Sequence, residues 1–115
     1  MSISPDEFKN TVTVSDGAWG TELDKVGCPA GYCREEWNLS QPDVVRKVAT
    51  AYVQAGARII LTNTFGANRI TLRKHQQDAQ ARQINRAGAR ISKDAAAGRA
   101  LVFGSIGPSG KMVLT

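Results

Sequence analysis

The sequence has few of the residues that metal sites, disulfide frameworks and membrane spans require. It contains two cysteines and one histidine in 115 residues, too few for a fold held by disulfides. Its longest uninterrupted hydrophobic run is the four-residue segment Ala100–Phe103, so no segment is predicted to span a bilayer. The N-terminus lacks the basic and apolar regions of a secretory signal. We therefore expect a cytoplasmic, globular protein without a membrane partner.

Positive charge is abundant and unevenly placed. The formal net charge is +5, and the stretch Arg69–Arg99 alone carries eight basic and two acidic residues. Such a cluster is typical either of a nucleic-acid contact or of a solvated helix face. Four of the basic residues share one helical face, namely Arg82, Arg86, Arg90 and Lys93. No aromatic residue lies between them, which favours a solvated face, and a small nucleic-acid-binding module remains an alternative.

Three short apolar segments predict β-strands. They are Val12–Val14, Arg58–Leu61 and Ala100–Phe103, and each is followed by a loop rich in small polar residues and glycine. The second and third are apolar without alternation, which is typical of strands covered on both faces.

The longer segments between these strands predict two amphipathic helices. The first follows Ser40, which we expect to cap it, with Pro42 in its first turn and Gly56 at its end. Its predicted apolar face consists of Val44, Val48, Tyr52 and Ala55. The second runs from about Asp78 to Ala97 and ends at Gly98. Its predicted apolar face consists of Ile84, Ala87, Ile91 and Ala95.

Strands that alternate with helices predict parallel βαβ units and an α/β fold. Three parallel strands leave an exposed edge, which proteins normally cover or pair. We therefore expect the chain to be the front part of a larger α/β barrel rather than a complete domain.

Glycine-rich loops after strands often bind phosphate, but here the spacing is wrong. The glycines of the 104–110 loop do not follow the dinucleotide-binding pattern. A P-loop ending at Gly110-Lys111 would need glycine at 105 and serine or threonine at 112, where Ser105 and Met112 stand. Both nucleotide-binding interpretations therefore fail.

The cysteines and the histidine do not form a recognisable metal site. Cys28 and Cys33 are separated by four residues, and no third thiolate or imidazole lies near them. A zinc site usually takes four protein ligands, or three with an open position. We interpret the two cysteines as structural thiols and His75 as an exposed polar residue.

The loops after the first two strands carry groups that suit a zwitterionic amino acid. Asp16 directly follows the first strand, where its carboxylate is expected to point into a barrel mouth and attract an ammonium group. Gly17 and Gly20 allow close backbone approach and leave N–H groups for a carboxylate. Small hydrogen-bonding side chains at Thr62–Thr64 are expected on the same rim. Alternatively, Asp16 caps a helix over residues 17–25.

Five motifs occur in an order that is specific when taken together. They are Asp16–Thr21, Glu36–Val45, Ala51–Ala57, Thr62–Arg69 and Gly104–Lys111. Together they closely resemble the N-terminal part of the homocysteine S-methyltransferases, including the homocysteine-binding module of cobalamin-dependent methionine synthase. The resemblance runs from about Val12 to the last residue.

The resemblance implies a (β/α)₈ barrel, of which residues 1–115 would supply the first three βα units as the N-terminal part of a homocysteine-binding domain. It implies that the complete enzyme methylates homocysteine to methionine. It also implies zinc held by three cysteines, two of them in a Gly-Gly-Cys-Cys motif that this chain lacks. The methyl donor stays open between methylcobalamin, a folate, betaine and a methylsulfonium compound.

By position, the resemblance transfers only residues of the amino-acid-binding side. The candidate substrate-binding residues are Asp16, Gly17, Ala18, Thr62, Asn63 and Ser105. No catalytic residue and no metal ligand is expected in this chain, and we expect the chain alone to be inactive without the remaining barrel strands. The alternative is a non-catalytic truncated barrel, or a piece that docks to a partner chain.

Overall fold

The computed structural model describes residues 4–113, and these form an α/β arrangement, which confirms the predicted class. In chain order the elements are a 3₁₀ turn at Pro5–Phe8, α1 Trp19–Lys25, a 3₁₀ turn at Arg34–Glu36, α2 Trp37–Ser40, α3 Pro42–Gln54, β1 Ile59–Leu61, α4 Arg69–Arg73, a 3₁₀ turn at Asp78–Gln80, α5 Ala81–Ala96 and β2 Leu101–Phe103. Among these described residues, no helix is long and apolar enough to cross a bilayer.

Strands β1 and β2 pair in parallel, with Ile60 opposite Val102. Both lie within the predicted segments. Helix α5 connects them, so the predicted βαβ unit is confirmed for this pair. Because the strands are parallel, the loops that follow them leave the same edge of the sheet.

The predicted strand Val12–Val14 is wrong. The chain instead makes one isolated parallel bridge, between Ser15 and Ile59. Two hydrogen bonds flank it: Arg58 N donates to Val14 O at 2.8 Å, and Asp16 N donates to Ile59 O at 2.8 Å. Val12 lies before this contact and is 95% exposed, so nothing holds its segment as a regular strand. The bridge still places the 16–18 loop beside the end of β1.

Among the described residues, helices cover only one face of the sheet. Ile60 is fully buried against α3 and α5, where it packs with Ala49, Val53, Ala57 and Ala96. Its neighbours Ile59 and Leu61 are half-buried, and Phe103 is exposed. All the long helices therefore pack on the side of the sheet that Ile60 faces.

The start of α3 differs from the sequence-based prediction. Ser40 is the last residue of α2, and its Oγ donates to Glu36 Oε1 at 2.8 Å instead of capping α3. Gln41 occupies the N-cap position without a side-chain hydrogen bond. Because Gln41 alone separates the two helices, Ser40 has helical rather than extended backbone and cannot serve as the cap. Gly56, with φ of 102°, ends the helix as predicted.

The buried face of α3 is also rotated from the predicted one. Its buried residues are Val45, Val48, Ala49 and Val53. Of the four predicted positions only Val48 is buried, and Ala55 is exposed because it already belongs to the terminating turn.

Helix α5 begins later than predicted, because residues 78–80 form a separate 3₁₀ turn. Ile84 and Ile91 are buried as predicted, whereas Ala87 and Ala95 are only half-buried. The helix ends at Ala96, followed by two residues with left-handed backbone. The four basic residues on its outer face, Arg82, Arg86, Arg90 and Lys93, are all exposed, as the solvated-face interpretation predicted.

Because one sheet face is uncovered, we expect the 115-residue chain alone to lack a cooperative fold. Apolar side chains such as Val14, at 60% exposed, have no covering layer among the described residues. Circular dichroism should show helix without a sharp thermal transition, and the chain should aggregate. A monodisperse monomer with a two-state melt would contradict this expectation.

The solvated face of α5 predicts small effects of charge removal. Changing Arg86 and Arg90 to Gln in a complete enzyme should alter the free energy of unfolding by about 0.5 kcal/mol or less, because neither side chain is buried. Urea denaturation measures this change, with methyl transfer followed in parallel. A more than tenfold loss of activity in the folded variant would contradict a purely solvated role.

Candidate functional site

The three loops that follow the bridge residue Ser15, β1 and β2 converge on one open cleft of about 410 Å³. We call it the loop cleft, and its lining residues are Gly17–Thr21, Asp24, Arg34, Glu35, Leu61–Asn63, Phe65 and Ser105. Five of the six candidate residues line it, namely Gly17, Ala18, Thr62, Asn63 and Ser105. The structure therefore brings together residues separated by up to 88 positions in the sequence.

Asp16 is the candidate that does not line the cleft. Its Oδ2 accepts hydrogen bonds from Leu61 N and from Trp19 Nε1, both at 2.7 Å. It does not cap α1, whose N-cap is Ala18. One carboxylate oxygen thus joins the first loop to the end of β1 and to the first turn of α1. Only this oxygen is engaged among the described contacts, and the binding of an ammonium group by Asp16 stays a prediction.

The first loop lines the cleft and has free backbone donors. Among the described residues, the N–H groups of Gly17 and Ala18 donate no hydrogen bond. Tyr52 in α3 fixes the loop from behind, because its hydroxyl donates to Ala18 O at 2.8 Å. A Cβ on Gly17 would lie 3.1 Å from that hydroxyl, so glycine gives the loop room to sit against the tyrosine. Two adjacent N–H groups in such a loop suit a carboxylate.

Hydroxyl groups join the second loop to the third. Thr64 Oγ1 donates to Ser105 O at 2.8 Å, and Ser105 N donates to Thr62 Oγ1 at 3.0 Å. The two threonine oxygens are 2.6 Å apart. Since the Thr64 proton is used on Ser105, Thr62 must be the donor between them. These hydroxyls therefore shape the cleft wall and hold Ser105 at its edge.

Asn63 belongs to a buried pair of amides. Its Nδ2 donates to Asn38 Oδ1 and to Arg34 O, both at 3.0 Å. Asn38 Nδ2 in turn donates to Asn63 O at 2.8 Å and to Ile84 O at 3.1 Å. Both side chains are almost completely buried, and buried amides are stable only when hydrogen-bonded in this way. The pair fixes the second loop against α2 and α5.

Three charged side chains line the loop cleft. Arg34 Nε and Nη2 donate to the two oxygens of Asp24, each at 3.0 Å, and the hydrogen bonds to Asp24 raise the pKa of the guanidinium. Glu35 Oε2 accepts a hydrogen bond from Gly66 N at 3.1 Å. Because Arg34 and Asp24 neutralise each other, Glu35 leaves the cleft with a net charge of −1.

A model of the homocysteine S-methyltransferase family matches residues 13–115. The chain belongs to the homocysteine S-methyltransferase family. It is 30% identical to methionine synthase of Mycobacterium tuberculosis over 93% of its length, and 31% identical to that of Mycobacterium leprae over 88%.

A solved structure of the same family has the same local fold. The metallated form of the homocysteine methyltransferase MmuM from Escherichia coli superposes with a TM-score of 0.77 at 25% identity, over 89% of this chain. The chain spans 40% of that protein and 9–10% of the two methionine synthases. It therefore corresponds to part of a homocysteine S-methyltransferase.

Sequence reasoning missed four residues that build or line the cleft: Trp19, Asp24, Arg34 and Glu35. The Arg34–Asp24 pair spans ten positions across a loop, so no helical or strand periodicity indicates it. Asn38 was also missed as a buried residue, because its hydrogen-bond partners lie 25 and 46 positions away. One local signal was readable: Asn68 caps α4 by accepting from Thr71 N at 2.8 Å, a typical spacing for a helix start.

The zinc that the family resemblance implies does not fit the cysteines of this chain. Cys28 packs in one apolar cluster with Leu23 and Val45, and Cys33 packs in another with Leu72. Burial raises the pKa of both thiols, which disfavours the thiolate that binds zinc. Within residues 4–113, no three His, Cys, Asp or Glu side chains lie close enough to hold a metal. His75, expected to be exposed, is half-buried beside Cys33 in a separate small cleft.

The double hydrogen bond at Asp16 predicts a stability effect. In a complete enzyme, Asp16→Ala should lower the free energy of unfolding by about 2–3 kcal/mol, because the Leu61 and Trp19 donors lose a charged acceptor. Asp16→Asn should cost less, since its amide oxygen can still accept both hydrogen bonds. Urea denaturation compares the two variants. Equal losses below about 0.5 kcal/mol would contradict the structural role of this carboxylate.

Proposed function

We propose that this chain forms the amino-acid-binding side of a homocysteine S-methyltransferase. In the complete enzyme, the sulfur of homocysteine forms a bond to the methyl carbon as the bond between that carbon and the donor breaks. The thiol proton is released, and methionine is the product. The observation that carries the proposal is the convergence of three post-strand loops on one cleft in a chain of this family.

The cleft offers complementary groups for the backbone end of an amino acid. The free N–H groups of Gly17 and Ala18 would receive the α-carboxylate. Thr62, Asn63 and Ser105 would line the substrate with small polar groups held by their own hydrogen bonds. Asp16 would act as a positioning residue, since its hydrogen bonds hold the loop that presents those N–H groups.

The larger architecture belongs to the same proposal. Residues 1–115 would supply the first three βα units of a (β/α)₈ barrel, and the uncovered sheet face would be the barrel interior. This is supported by the parallel order of the bridge, β1 and β2 and by the likeness to MmuM. A cytoplasmic location is part of the same proposal.

The described residues do not fit a zinc ion, because no three metal-ligating side chains lie close together among them. Metal ligands, if the complete enzyme uses them, would come from residues other than Cys28 and Cys33. Nothing in the loop cleft selects among methylcobalamin, a folate, betaine or a methylsulfonium compound as the donor, so the proposal names homocysteine as the substrate and leaves the donor class open.

A complete enzyme carrying these residues should form methionine from homocysteine and a methyl donor. The decarboxylated analogue γ-mercaptopropylamine should bind at least about tenfold more weakly than homocysteine, because it cannot accept the two loop N–H groups. Calorimetric titration with each thiol measures the difference. Equal affinities would contradict the carboxylate-binding role of the Gly17–Ala18 backbone, and absence of methionine would contradict the proposed function itself.

A further inference from the structure

We propose that Tyr52 is a positioning residue for substrate binding, because its hydroxyl holds the loop whose N–H groups receive the substrate carboxylate. The inference rests on the proposed function and deepens it. Tyr52 belongs to α3 and does not line the loop cleft, and 34 positions separate it from Ala18. It would therefore act on substrate binding without touching the substrate.

The backbone that carries the two N–H groups lies between two anchors. On the N-terminal side, Asp16 Oδ2 accepts from Leu61 N and from Trp19 Nε1, both at 2.7 Å. On the C-terminal side, Ala18 O accepts from the Tyr52 hydroxyl at 2.8 Å. The anchors enclose only Gly17 and Ala18, so the second anchor limits the rotation of the backbone that presents both N–H groups.

Tyr52 is itself held in place by packing. Its side chain packs against two apolar clusters, one that contains Val48 and one that contains Ala49. Its ring centroid lies 6.4 Å from that of Trp19, the residue that donates to Asp16, so the two anchors support each other. Burial raises the pKa of the Tyr52 hydroxyl, which therefore keeps its proton at neutral pH. The helix thus offers the loop a stationary donor.

Glycine at position 17 fits this arrangement. A Cβ there would lie 3.1 Å from the Tyr52 hydroxyl oxygen, closer than ordinary van der Waals contact. Without a side chain, the loop can approach α3 closely enough for Ala18 O to accept the hydrogen bond. The contact between loop and helix therefore depends on both Gly17 and Tyr52.

The test compares two thiols in a complete enzyme that carries these residues. Homocysteine and its decarboxylated analogue γ-mercaptopropylamine share the thiol and the amino group, so their affinity ratio isolates the carboxylate. Tyr52→Phe removes the hydroxyl and keeps the ring. Tyr32→Phe is the matched control, because the Tyr32 hydroxyl donates to Glu36 Oε1 at 2.7 Å and does not line the loop cleft.

Calorimetric titration should show that Tyr52→Phe weakens homocysteine binding about fivefold, the effect of one neutral hydrogen bond. Binding of γ-mercaptopropylamine should change less than about twofold, because it makes no carboxylate contact with the loop. Tyr32→Phe should leave both affinities unchanged. The KM for homocysteine should rise in Tyr52→Phe while kcat stays within about threefold, since the carboxylate contact is the same in substrate and transition state.

Three results for Tyr52→Phe would overturn the inference: an unchanged homocysteine affinity, an equal loss for both thiols, and a failure to fold. Urea denaturation detects the last, which would assign the hydroxyl to the stability of the fold rather than to the loop. If the wild-type enzyme prefers homocysteine and Tyr52→Phe keeps that preference in full, only this inference fails. If the wild-type enzyme binds both thiols equally, the carboxylate site of the proposed function fails, and this inference fails with it. An enzyme with the predicted affinities that forms no methionine would refute the methyl transfer and support the role of Tyr52.

Discussion

The geometry of the loop cleft depends on a single carboxylate oxygen. Asp16 Oδ2 accepts from Leu61 N at the end of β1 and from the indole of Trp19 in the first turn of α1. The residue before it, Ser15, makes only one bridge to β1, too little pairing to fix a loop. The two hydrogen bonds to the Asp16 carboxylate take the place of further strand pairing with β1. They hold the Gly17–Ala18 backbone at the cleft.

The loops that follow β1 and β2 are joined to each other by hydrogen bonds and close packing. The hydroxyls of Thr62 and Thr64 clamp the Ser105 backbone, and Gly107 N donates to Phe65 O at 3.0 Å. A Cβ on Gly107 would lie 2.4 Å from that oxygen, so only glycine allows the loops to meet. The cleft is therefore preorganised by internal hydrogen bonds, which reduces what substrate binding must order.

Much of this arrangement could be predicted from the sequence where the signal was local. Continuous apolar runs indicated β1 and β2, glycines marked the ends of α3 and α5, and post-strand polar residues indicated the loops that converge. Predictions failed where distant contacts decide the outcome. The hydrogen bond from Leu61 N to Asp16 could not be predicted, because the two residues lie 45 positions apart. The Ser40 cap failed for a local reason, because α2 ends on that residue.

We propose that the three loops form one site for the backbone end of homocysteine. A crystal structure of a complete enzyme carrying these residues, with homocysteine bound, tests it most directly. We predict that the α-carboxylate lies within about 3 Å of the Gly17 or Ala18 nitrogen. Homocysteine bound elsewhere, with the loop cleft filled only by water, would contradict the account.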